Sequence, residues 1–286
     1  MEDYIFNKNY FGRDYNFCQV DINKPFDNQN FKNKGADSII ALINNADNRC
    51  DDIKNITQYT DLRGLSIEGI FDSLDGLSEF KKLEFLNMNV KCKKEIPFGS
   101  LKNLWCIYLN YNKKTDFSVF DCQNLEYIFI DNYKESDACP FEKFSKAKRI
   151  GLMQTHILSF PLEKMPHLEH FGMGYNAKIQ DISWLNHHSL QSLSIANCKH
   201  IKNWNTISTL KQLEILIIEN CKEIPSLDFL LELNQLKEIR LIGDIKITDN
   251  KIAKILELPN LKKFVIPIRK EYDLTFQEYT QWKNRW

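Results

Sequence analysis

Apolar residues recur along this chain in one short phrase that is repeated at a nearly constant interval. In the phrase, a leading residue is followed by further apolar residues three and five positions on. Successive leading residues are separated by 21 to 25 residues. Self-similarity at such a period is typical of a solenoid, in which every repeat adds one coil. The ten leading residues are Leu62, Leu83, Leu104, Leu125, Ala147, Leu168, Leu190, Leu213, Leu236 and Leu261.

Each copy of the phrase predicts one short strand, because its apolar residues alternate with variable ones. Alternate residues of a strand face opposite sides, so the apolar residues point inward and residues 2, 4 and 6 after the leading one point outward. Two copies, Leu190–Cys198 and Leu213–Cys221, share the fuller pattern LxxLxLxNC. Repeats this short leave little chain for the opposite wall, where we expect turns and short helices.

The phrase resembles the short, about 22-residue repeat of internalin-like bacterial leucine-rich-repeat proteins, over about residues 62–268. The resemblance implies an α/β fold, namely a right-handed, horseshoe-like solenoid whose concave parallel sheet would have about ten strands here. It also implies that the concave sheet binds another protein. The chain departs from the family pattern at Ala147, which replaces a leading Leu, and it shows no secretion or wall-anchor signal. The extracellular role of internalins is therefore not carried over.

The two ends of the chain do not follow the repeat. In the aromatic-rich start, the alternation of Cys18, Val20 and Ile22 predicts a strand of a small hairpin. Further on, Ile39 and Leu42 share helical spacing with Ile43 and Ala46, which predicts a short helix. We expect residues 1–60 to form an N-terminal capping segment, residues 61–268 the solenoid and residues 269–286 a C-terminal capping helix.

Two helices are predicted near the C-terminus. Asp249 is a candidate cap for a helix that places Ile252, Ile255 and Leu256 on one face. The second helix has a capping box, with Thr275 before its first turn and Glu278 three residues later. Its apolar face would carry Phe276, Tyr279 and Trp282.

Composition excludes some partners and compartments. Lys plus Arg equals Asp plus Glu, at 38 each, which removes the broad basic field that non-specific nucleic-acid binding requires. No apolar run is long enough for a signal peptide or a membrane span. We therefore expect a cytoplasmic protein with no nucleic-acid or membrane partner, whose eight cysteines are reduced thiols.

Candidate chemistry is absent from the sequence. Cys198 and Cys221 share one repeat phase, where the family uses Asn or Cys to hydrogen-bond backbone groups, so we interpret them as structural. No CxxC pair is present, and the neighbouring histidines do not converge in the repeat; these are His167, His170, His187 and His188. SxxK, a motif of some serine acyl-transfer enzymes, occurs at Ser78/Lys81, Ser145/Lys148 and Ser208/Lys211, but two of the three lie five residues before a leading Leu, so we interpret them as a product of the repeat. No GxxxxGK[ST], HExxH, GxSxG or GxGxxG motif occurs. We expect no catalytic residue, cofactor or metal.

The outward strand positions supply the candidate partner-binding site. Aromatic residues occupy several of them where a surface without a role more often carries Ser, Thr or charge, and exposed apolar patches mark interaction sites. Two alternatives are aromatic packing that stiffens the sheet and cover by the N-terminal segment. The predicted site residues are Phe85, Asn87, Asn89, Tyr108, Asn110, Tyr111, Tyr127, Phe129, Asp131, His170 and Tyr175.

These features favour a non-catalytic protein that binds another protein on its concave face and is monomeric when free. An inhibitor or immunity-type protein that neutralises a toxin is one form of this hypothesis, because it needs a preformed face and no chemistry. The alternative is an assembly scaffold that oligomerises through its caps or edges, suggested by Trp282 and Trp286. A mild acidic-to-basic gradient along the chain would steer a protein partner; the alternative is an ordinary solvated surface.

Overall fold

The structure, a computed structural model, describes residues 5–25, 27–187 and 189–284. By its internal contacts the chain divides into two compact units, Met1–Asn132 and Tyr133–Trp286. Each unit contains a mainly parallel sheet built from the repeated phrase.

The sheet of the first unit has the strand order β1-β2-β3-β5-β6-β7-β8, and the short β4 pairs with β5. Strands β1 and β2 form an antiparallel hairpin, whereas β2 pairs with β3 in parallel, as do the strands that follow. The strand bounds are β1 Ile5–Tyr10, β2 Arg13–Asp21, β3 Ser38–Leu42, β4 Arg49–Cys50, β5 Gly64–Phe71, β6 Phe85–Cys92, β7 Cys106–Asn110 and β8 Tyr127–Asp131.

Short helical segments connect the strands of the first unit. The α-helices are α1 Asn28–Asn33, α2 Lys54–Thr57 and α3 Lys113–Asp116. The 3₁₀ turns span Asp75–Glu79, Phe98–Ser100 and Phe117–Asp121. Each 3₁₀ turn buries at least one apolar side chain, so these connections close the coils on the side opposite the sheet.

The sheet of the second unit has the order β9-β10-β11-β12-β14-β16, and a separate parallel pair joins β13 to β15. Its strands are β9 Arg149–Met153, β10 His170–Gly174, β11 Ser192–Ala196, β12 Ile215–Glu219, β13 Lys222–Ile224, β14 Glu238–Ile242, β15 Ile245–Ile247 and β16 Lys263–Val265. The 3₁₀ turns span Cys139–Lys143, Leu162–Lys164, Trp204–Thr209, Asp228–Leu230 and Ala253–Glu257, and helix α4 spans Phe276–Lys283.

The prediction of about ten repeat strands is confirmed. Each of the ten leading residues is at most 2% exposed, and each is followed by a strand: β5 to β12, β14 and β16. The prediction of a wall made of turns and short helices is confirmed as well. The apolar core of each unit therefore follows directly from the repeated phrase.

A left-handed turn follows the sheet strand in six coils, always seven residues after the leading residue. Positive φ favours Gly and Asn, and three of the six positions carry Asn and one carries Gly. The residues and φ angles are Asn132 (66°), Gln154 (51°), Tyr175 (53°), Asn197 (54°), Asn220 (51°) and Gly243 (73°).

The position after this turn holds the polar ladder that the repeat predicted. In the second unit, buried Asn176 donates to the carbonyl of Ile157 at 2.7 Å, and its Oδ1 accepts two backbone N–H groups. One and two coils on, the thiols of Cys198 and Cys221 contact the carbonyls of Ala196 and Glu219. The structural interpretation of both cysteines is confirmed.

The helix predicted around Ile39 and Leu42 is wrong. The segment Ser38–Leu42 forms strand β3, which is hydrogen-bonded between β2 and β5. Ile39 and Ala41 are buried on one face, which is the period of two of a strand. A short apolar run fits either period, and the partner strands on both sides decide it here.

The two C-terminal predictions have different outcomes. The segment after Asp249 forms the 3₁₀ turn Ala253–Glu257 and not the predicted α-helix. Asn250 has a φ of 61°, which is outside the helical region, so Asp249 does not cap a helix that begins at the next residue. Helix α4 is confirmed with its capping box, since Thr275 accepts from the Glu278 backbone and the Glu278 carboxylate accepts from the Thr275 N–H. Trp282 is buried, whereas Phe276 is 71% exposed; Trp286 lies outside the described residues.

Candidate functional site

The variable face of each sheet, the face that carries residues 2, 4 and 6 after each leading residue, is arranged in rows. In the first unit, Phe85 pairs with Cys106, and Cys106 pairs with Tyr127. The register next to it joins Asn87, Tyr108 and Phe129. The strands therefore bring the predicted aromatic residues together on neighbouring positions, as the repeat implied.

The N-terminal hairpin covers much of this aromatic surface. Phe85 is only 1% exposed, because the ring of Tyr10 stacks on it with 4.2 Å between centroids and Phe17 meets its edge at 6.0 Å. The prediction that Phe85 lies exposed on the concave face is therefore wrong. A ring buried by its own chain is not available to a partner.

Tyr111 is a second correction. It is 3% exposed and packs edge-on against Phe120 at 6.1 Å. The Tyr111 position is one residue beyond the sheet strand, where the chain turns toward the interior of the coil in β7. The sequence predicted a surface location for Tyr111 because it lies one position beyond the outward residues of its strand.

The turn of the hairpin reaches furthest across the sheet. Phe11 stacks on Tyr127 with centroids 4.1 Å apart and lies nearly parallel to Phe129 at 5.9 Å. Tyr108 stacks on Phe129 in turn, at 4.3 Å. Phe11 and Gly12 both have positive φ, and this reversal carries the Phe11 ring onto the sheet. Tyr108, Tyr127 and Phe129 are consequently half-buried.

A partly buried polar cluster anchors the hairpin to the sheet. The indole N–H of Trp105 donates to the Tyr15 hydroxyl at 2.8 Å, and that hydroxyl donates to the Glu84 carboxylate at 3.3 Å. The Arg13 guanidinium lies 4.0 Å from the centre of the Trp105 ring. Arg63 pairs with Glu84 at 3.0 Å. Ring burial, a cation–π contact and charge-assisted hydrogen bonds thus act on one small area.

The titration of this cluster reflects its burial and its charges. Burial raises the pKa of Tyr15. Burial also tends to raise the pKa of Glu84, but the hydrogen bonds and positive charge of Arg63 outweigh it, and the pKa of Glu84 lies below its ordinary value. Glu84 is therefore ionised at neutral pH.

A missing side chain makes room for this packing. A Cβ on Gly64 would lie 2.6 Å from the Ser38 hydroxyl and 3.2 Å from the Phe17 ring. Gly64 occupies the position in β5 that Phe85 occupies in β6. Because Gly64 has no side chain at the position next to Phe85, the ring of Phe17 can pack beside Phe85.

The remaining predicted residues of the first unit form a polar, accessible edge. Asn110 donates to the side-chain oxygen of Asn89 at 2.9 Å, and Asn89 donates to Glu68 at 3.1 Å. Asn87 is likewise exposed, and Asp131 is half-buried, accepting from the backbone N–H of Asn132. This edge offers hydrogen-bonding groups and no apolar anchor.

The last two predicted residues, His170 and Tyr175, lie in the second unit. His170 is half-buried on β10, where burial and then the charge of Arg149 lower its pKa. Tyr175 is 56% exposed in the left-handed turn after the same strand. Beside them, Met153 is 40% exposed at the end of β9.

The sheet surface between these side chains carries only small residues. Gly172 pairs with Gly151 on one side and Ser194 on the other, so three small residues follow one another across β9, β10 and β11. A Cβ on Gly172 would find its nearest neighbour at 3.8 Å, an ordinary contact. Packing within the unit therefore does not require a glycine at position 172.

The described residues show no arrangement for catalysis by a metal. No group of three or more His, Cys, Asp or Glu among them is placed to hold a metal ion. His187 is buried with Nε2 2.8 Å from the Met165 carbonyl, and His188 lies outside the described residues. Burial raises the pKa of Cys122 and Cys198 to about 12, which leaves both thiols protonated at neutral pH.

Within the described chain, no helix is long and apolar enough to cross a membrane.

No protein-family model matches the sequence, and no curated protein sequence matches it. Solved structures do match. An internalin, InlF from Listeria monocytogenes, aligns with a TM-score of 0.60 and 19% identity over 81% of this chain and 74% of the internalin.

Two further structures share the fold. The functional domain of InlJ from Listeria monocytogenes, described as including a cysteine ladder, has a TM-score of 0.50 and 19% identity over 85% of this chain and 49% of that one. A TLR13–ssRNA13 complex gives 0.53 and 17% identity over 81% and 39%. The chain thus has a leucine-rich-repeat solenoid fold, and the sequence resemblance to internalin-like repeats is confirmed at the level of fold.

The sequence missed the residues that matter most in the first unit. Tyr10, Phe11, Tyr15 and Trp105 are absent from the predicted site, although they cover it or anchor the cover. The signal was present as the crowding of aromatic residues before residue 20. The sequence does not show where these rings pack, because that depends on contacts between the β1–β2 hairpin and strands far along the chain.

Proposed function

We propose that this chain is a non-catalytic protein-binding module whose variable face in the second unit contacts the partner. The leucine-rich-repeat fold supports the binding role, since it presents a row of variable residues on a rigid sheet. The site differs from the one expected from sequence. Its centre is Met153, His170, Gly172 and Tyr175, because the aromatic rings of the first unit already pack against their own hairpin.

Tyr175 is the observation that carries this proposal. It has a φ of 53° at a repeat position that holds Asn in three other coils. A bulky residue is unfavourable at this backbone conformation. Because the Tyr175 ring is mostly exposed, it also contributes little hydrophobic stabilisation to the fold. A residue that is poor for its turn and exposed is a candidate for function.

Gly172 supports the same site. Glycine inside a strand weakens the strand, and it often marks a place where another chain approaches closely. Since a Cβ would fit at this position, the glycine is better explained by the approach of a partner than by packing. A partner side chain over Gly172 would be flanked by His170 and Tyr175.

Tyr175→Asn tests the proposal, because the two roles of the residue predict opposite effects. Replacing Tyr with the residue that suits the turn should raise the free energy of unfolding by on the order of 0.5 kcal/mol. The same change should weaken partner binding at least about tenfold if Tyr175 is an anchor. The partner would be obtained by affinity purification and mass spectrometry, and affinities measured with the purified pair.

Gly172→Thr is the companion variant, and Ser66→Thr is its matched control at the same repeat position in the first unit. A Thr side chain at position 172 should block the approach of the partner to the sheet. It should not destabilise the strand, since Thr is favourable in strands. Ser66→Thr should leave the affinity unchanged. Unchanged binding by both Tyr175→Asn and Gly172→Thr would refute the site.

An inhibitor or immunity-type role is the finer form of this proposal. Such a protein acts by covering a surface of its target, so a rigid preformed face is sufficient. The test is whether the purified partner is an enzyme or toxin whose activity falls in proportion to complex formation. A partner whose activity is unaffected by saturating amounts of this chain would contradict the inhibitor role.

The alternative is a scaffold that oligomerises through an end of the chain. Phe276, 71% exposed on helix α4, favours it, because an exposed aromatic at a terminal helix can pack against a second copy. Light scattering should then show a concentration-dependent dimer that Phe276→Ala abolishes. We further propose that residues 1–60 and 269–286 are capping segments that cover the ends of the repeat core.

A further inference from the structure

A basic groove lies in the second unit, where the chain leaves the carboxyl ends of β11, β12 and β14. It encloses about 740 Å³. Residues of four successive coils line it, because the carboxyl ends of parallel strands meet at one edge of a sheet. Its basic side chains are Lys199, Lys202, Lys222, Lys246 and Arg269.

The charge of the groove is only partly balanced. Two acids, Glu223 and Asp244, share the lining with the five bases. Among the ion pairs of the described residues, none involves Lys199, Lys202, Lys222 or Lys246. Elsewhere in the same unit, exposed lysines do pair, as Lys211 does with Glu232 at 2.8 Å. The groove therefore retains an excess of positive charge, although the whole chain is formally neutral.

Repetition places these charges close together. Lys199 and Lys222 both stand nine residues after a leading Leu, in adjacent coils. Adjacent coils of a parallel sheet are about 4.8 Å apart. Like charges on neighbouring coils repel each other, and a bound anion relieves the repulsion. The sequence showed the bases only as scattered residues, since their meeting depends on the stacking of coils.

Arg269 adds a directed donor. Its Nη2 donates to the Ile245 carbonyl at 3.0 Å, which holds the guanidinium at the edge of β15. Its Nε is buried without a hydrogen-bond partner in the described structure. A buried N–H without an acceptor is costly, and a carboxylate that enters the groove would satisfy it.

We propose that the basic groove binds an acidic, Asp- or Glu-rich extended segment of the protein partner. The inference rests on the proposed function, because it gives the chemistry of one part of that partner. The groove crosses four coils, so its length suits an extended chain. Among the described residues that line it there is no Phe, Tyr or Trp and the only aromatic ring is that of His200, so the groove offers little of the stacking platform that nucleic-acid bases use. The positive charge of the groove favours a segment that carries the negative charge of carboxylates.

The test uses a fluorescent ten-residue Glu-rich peptide and the whole chain, with fluorescence anisotropy at low salt. The wild type should bind the peptide saturably, and binding should weaken as salt increases. Lys199→Glu with Lys246→Glu should weaken binding at least about tenfold. The matched control is Lys251→Glu with Lys254→Glu, which makes the same charge change outside the groove and should alter the affinity by no more than about twofold.

Several results would overturn the inference. These are the absence of saturable peptide binding by the wild type, an equal loss in the control, and tripolyphosphate binding without peptide binding. All four substituted lysines are exposed, so the variants should fold, and circular dichroism verifies it. The experiment does not involve Tyr175 or Gly172. If the peptide fails to bind while Tyr175→Asn still weakens the partner, only the groove is refuted.

Discussion

Trp105 donates its indole N–H to the hydroxyl of Tyr15 across 2.8 Å, although 90 positions separate the two residues. Trp105 is 4% exposed and Tyr15 is fully buried, so neither polar atom can turn to water instead. This hydrogen bond is one of the contacts that tie the N-terminal hairpin to the repeat sheet of the first unit. It also explains why the aromatic rows of that sheet are not a free surface.

Tyr15→Phe should lower the free energy of unfolding by about 1 to 3 kcal/mol, because the Trp105 N–H would be left buried without an acceptor. Urea denaturation followed by tryptophan fluorescence measures the loss. The control is Tyr175→Phe, which removes a hydroxyl from an exposed ring and should change stability little. Equal effects of the two changes would show that the Trp105 bond is not anchoring the hairpin.

Phe11→Ala should release the turn of the hairpin. The ring stacks on Tyr127 and Phe129, and aromatic contacts of this kind contribute about 0.5 to 1.5 kcal/mol each. We expect faster hydrogen exchange of the β1 amides and a loss of about 1 to 2 kcal/mol in unfolding free energy. Phe276→Ala, which removes an exposed ring, should have no comparable effect. Unaltered exchange in β1 would mean that Phe11 does not hold the hairpin down.

Asn176→Ala should destabilise the second unit by about 2 to 3 kcal/mol, since it leaves the Ile157 carbonyl and two backbone N–H groups without partners. Thermal or urea unfolding measures this effect. The control is Asn87→Ala on the exposed face, with an expected change below about 0.5 kcal/mol. A small effect of Asn176→Ala would indicate that water takes over the hydrogen bonds that the Asn176 side chain makes to the backbone.

Asp116 should make stability depend on pH in an unusual direction. The carboxylate is 1% exposed, and burial raises its pKa from 3.8 to about 6, against the lowering effect of hydrogen bonds from Thr115 and the Asn112 backbone. Because the folded state holds the proton more tightly, this group's contribution is full below pH 3.8 and is lost as pH rises toward 6. The loss is on the order of 3 kcal/mol at most.

Asp116→Asn removes this titration. The difference in unfolding free energy between the variant and the wild type should therefore shift in favour of the variant as pH rises from about 4 to about 6, and then remain constant. Denaturation of both proteins at a series of pH values gives this difference directly. Subtracting the two free energies removes the contributions of the other carboxylates, which both proteins share. A pH-independent difference would show that Asp116 titrates normally in the folded chain.

The repeated phrase was sufficient to predict the core and the repeat strands, and even the cysteine ladder. Leu190 and Leu213 could be assigned to the interior because their environment is set by residues a few positions away and by an identical neighbouring coil. Residues near Ile39 could not be assigned in this way. Their apolar run is too short to distinguish a strand from a helix, and β2 and β5 made it a strand.

The sequence by itself determined which residues within each strand face the interior and which face outward, because that choice has the period of the strand. The tertiary structure decided which outward residues remain accessible. Phe85 and Tyr175 are both outward aromatics after the same phrase, yet one is 1% exposed and the other 56%. The difference arises because the hairpin brings Tyr10 onto Phe85, a contact between residues 75 positions apart. Such a contact leaves no periodic trace in the chain, and only folding reveals it.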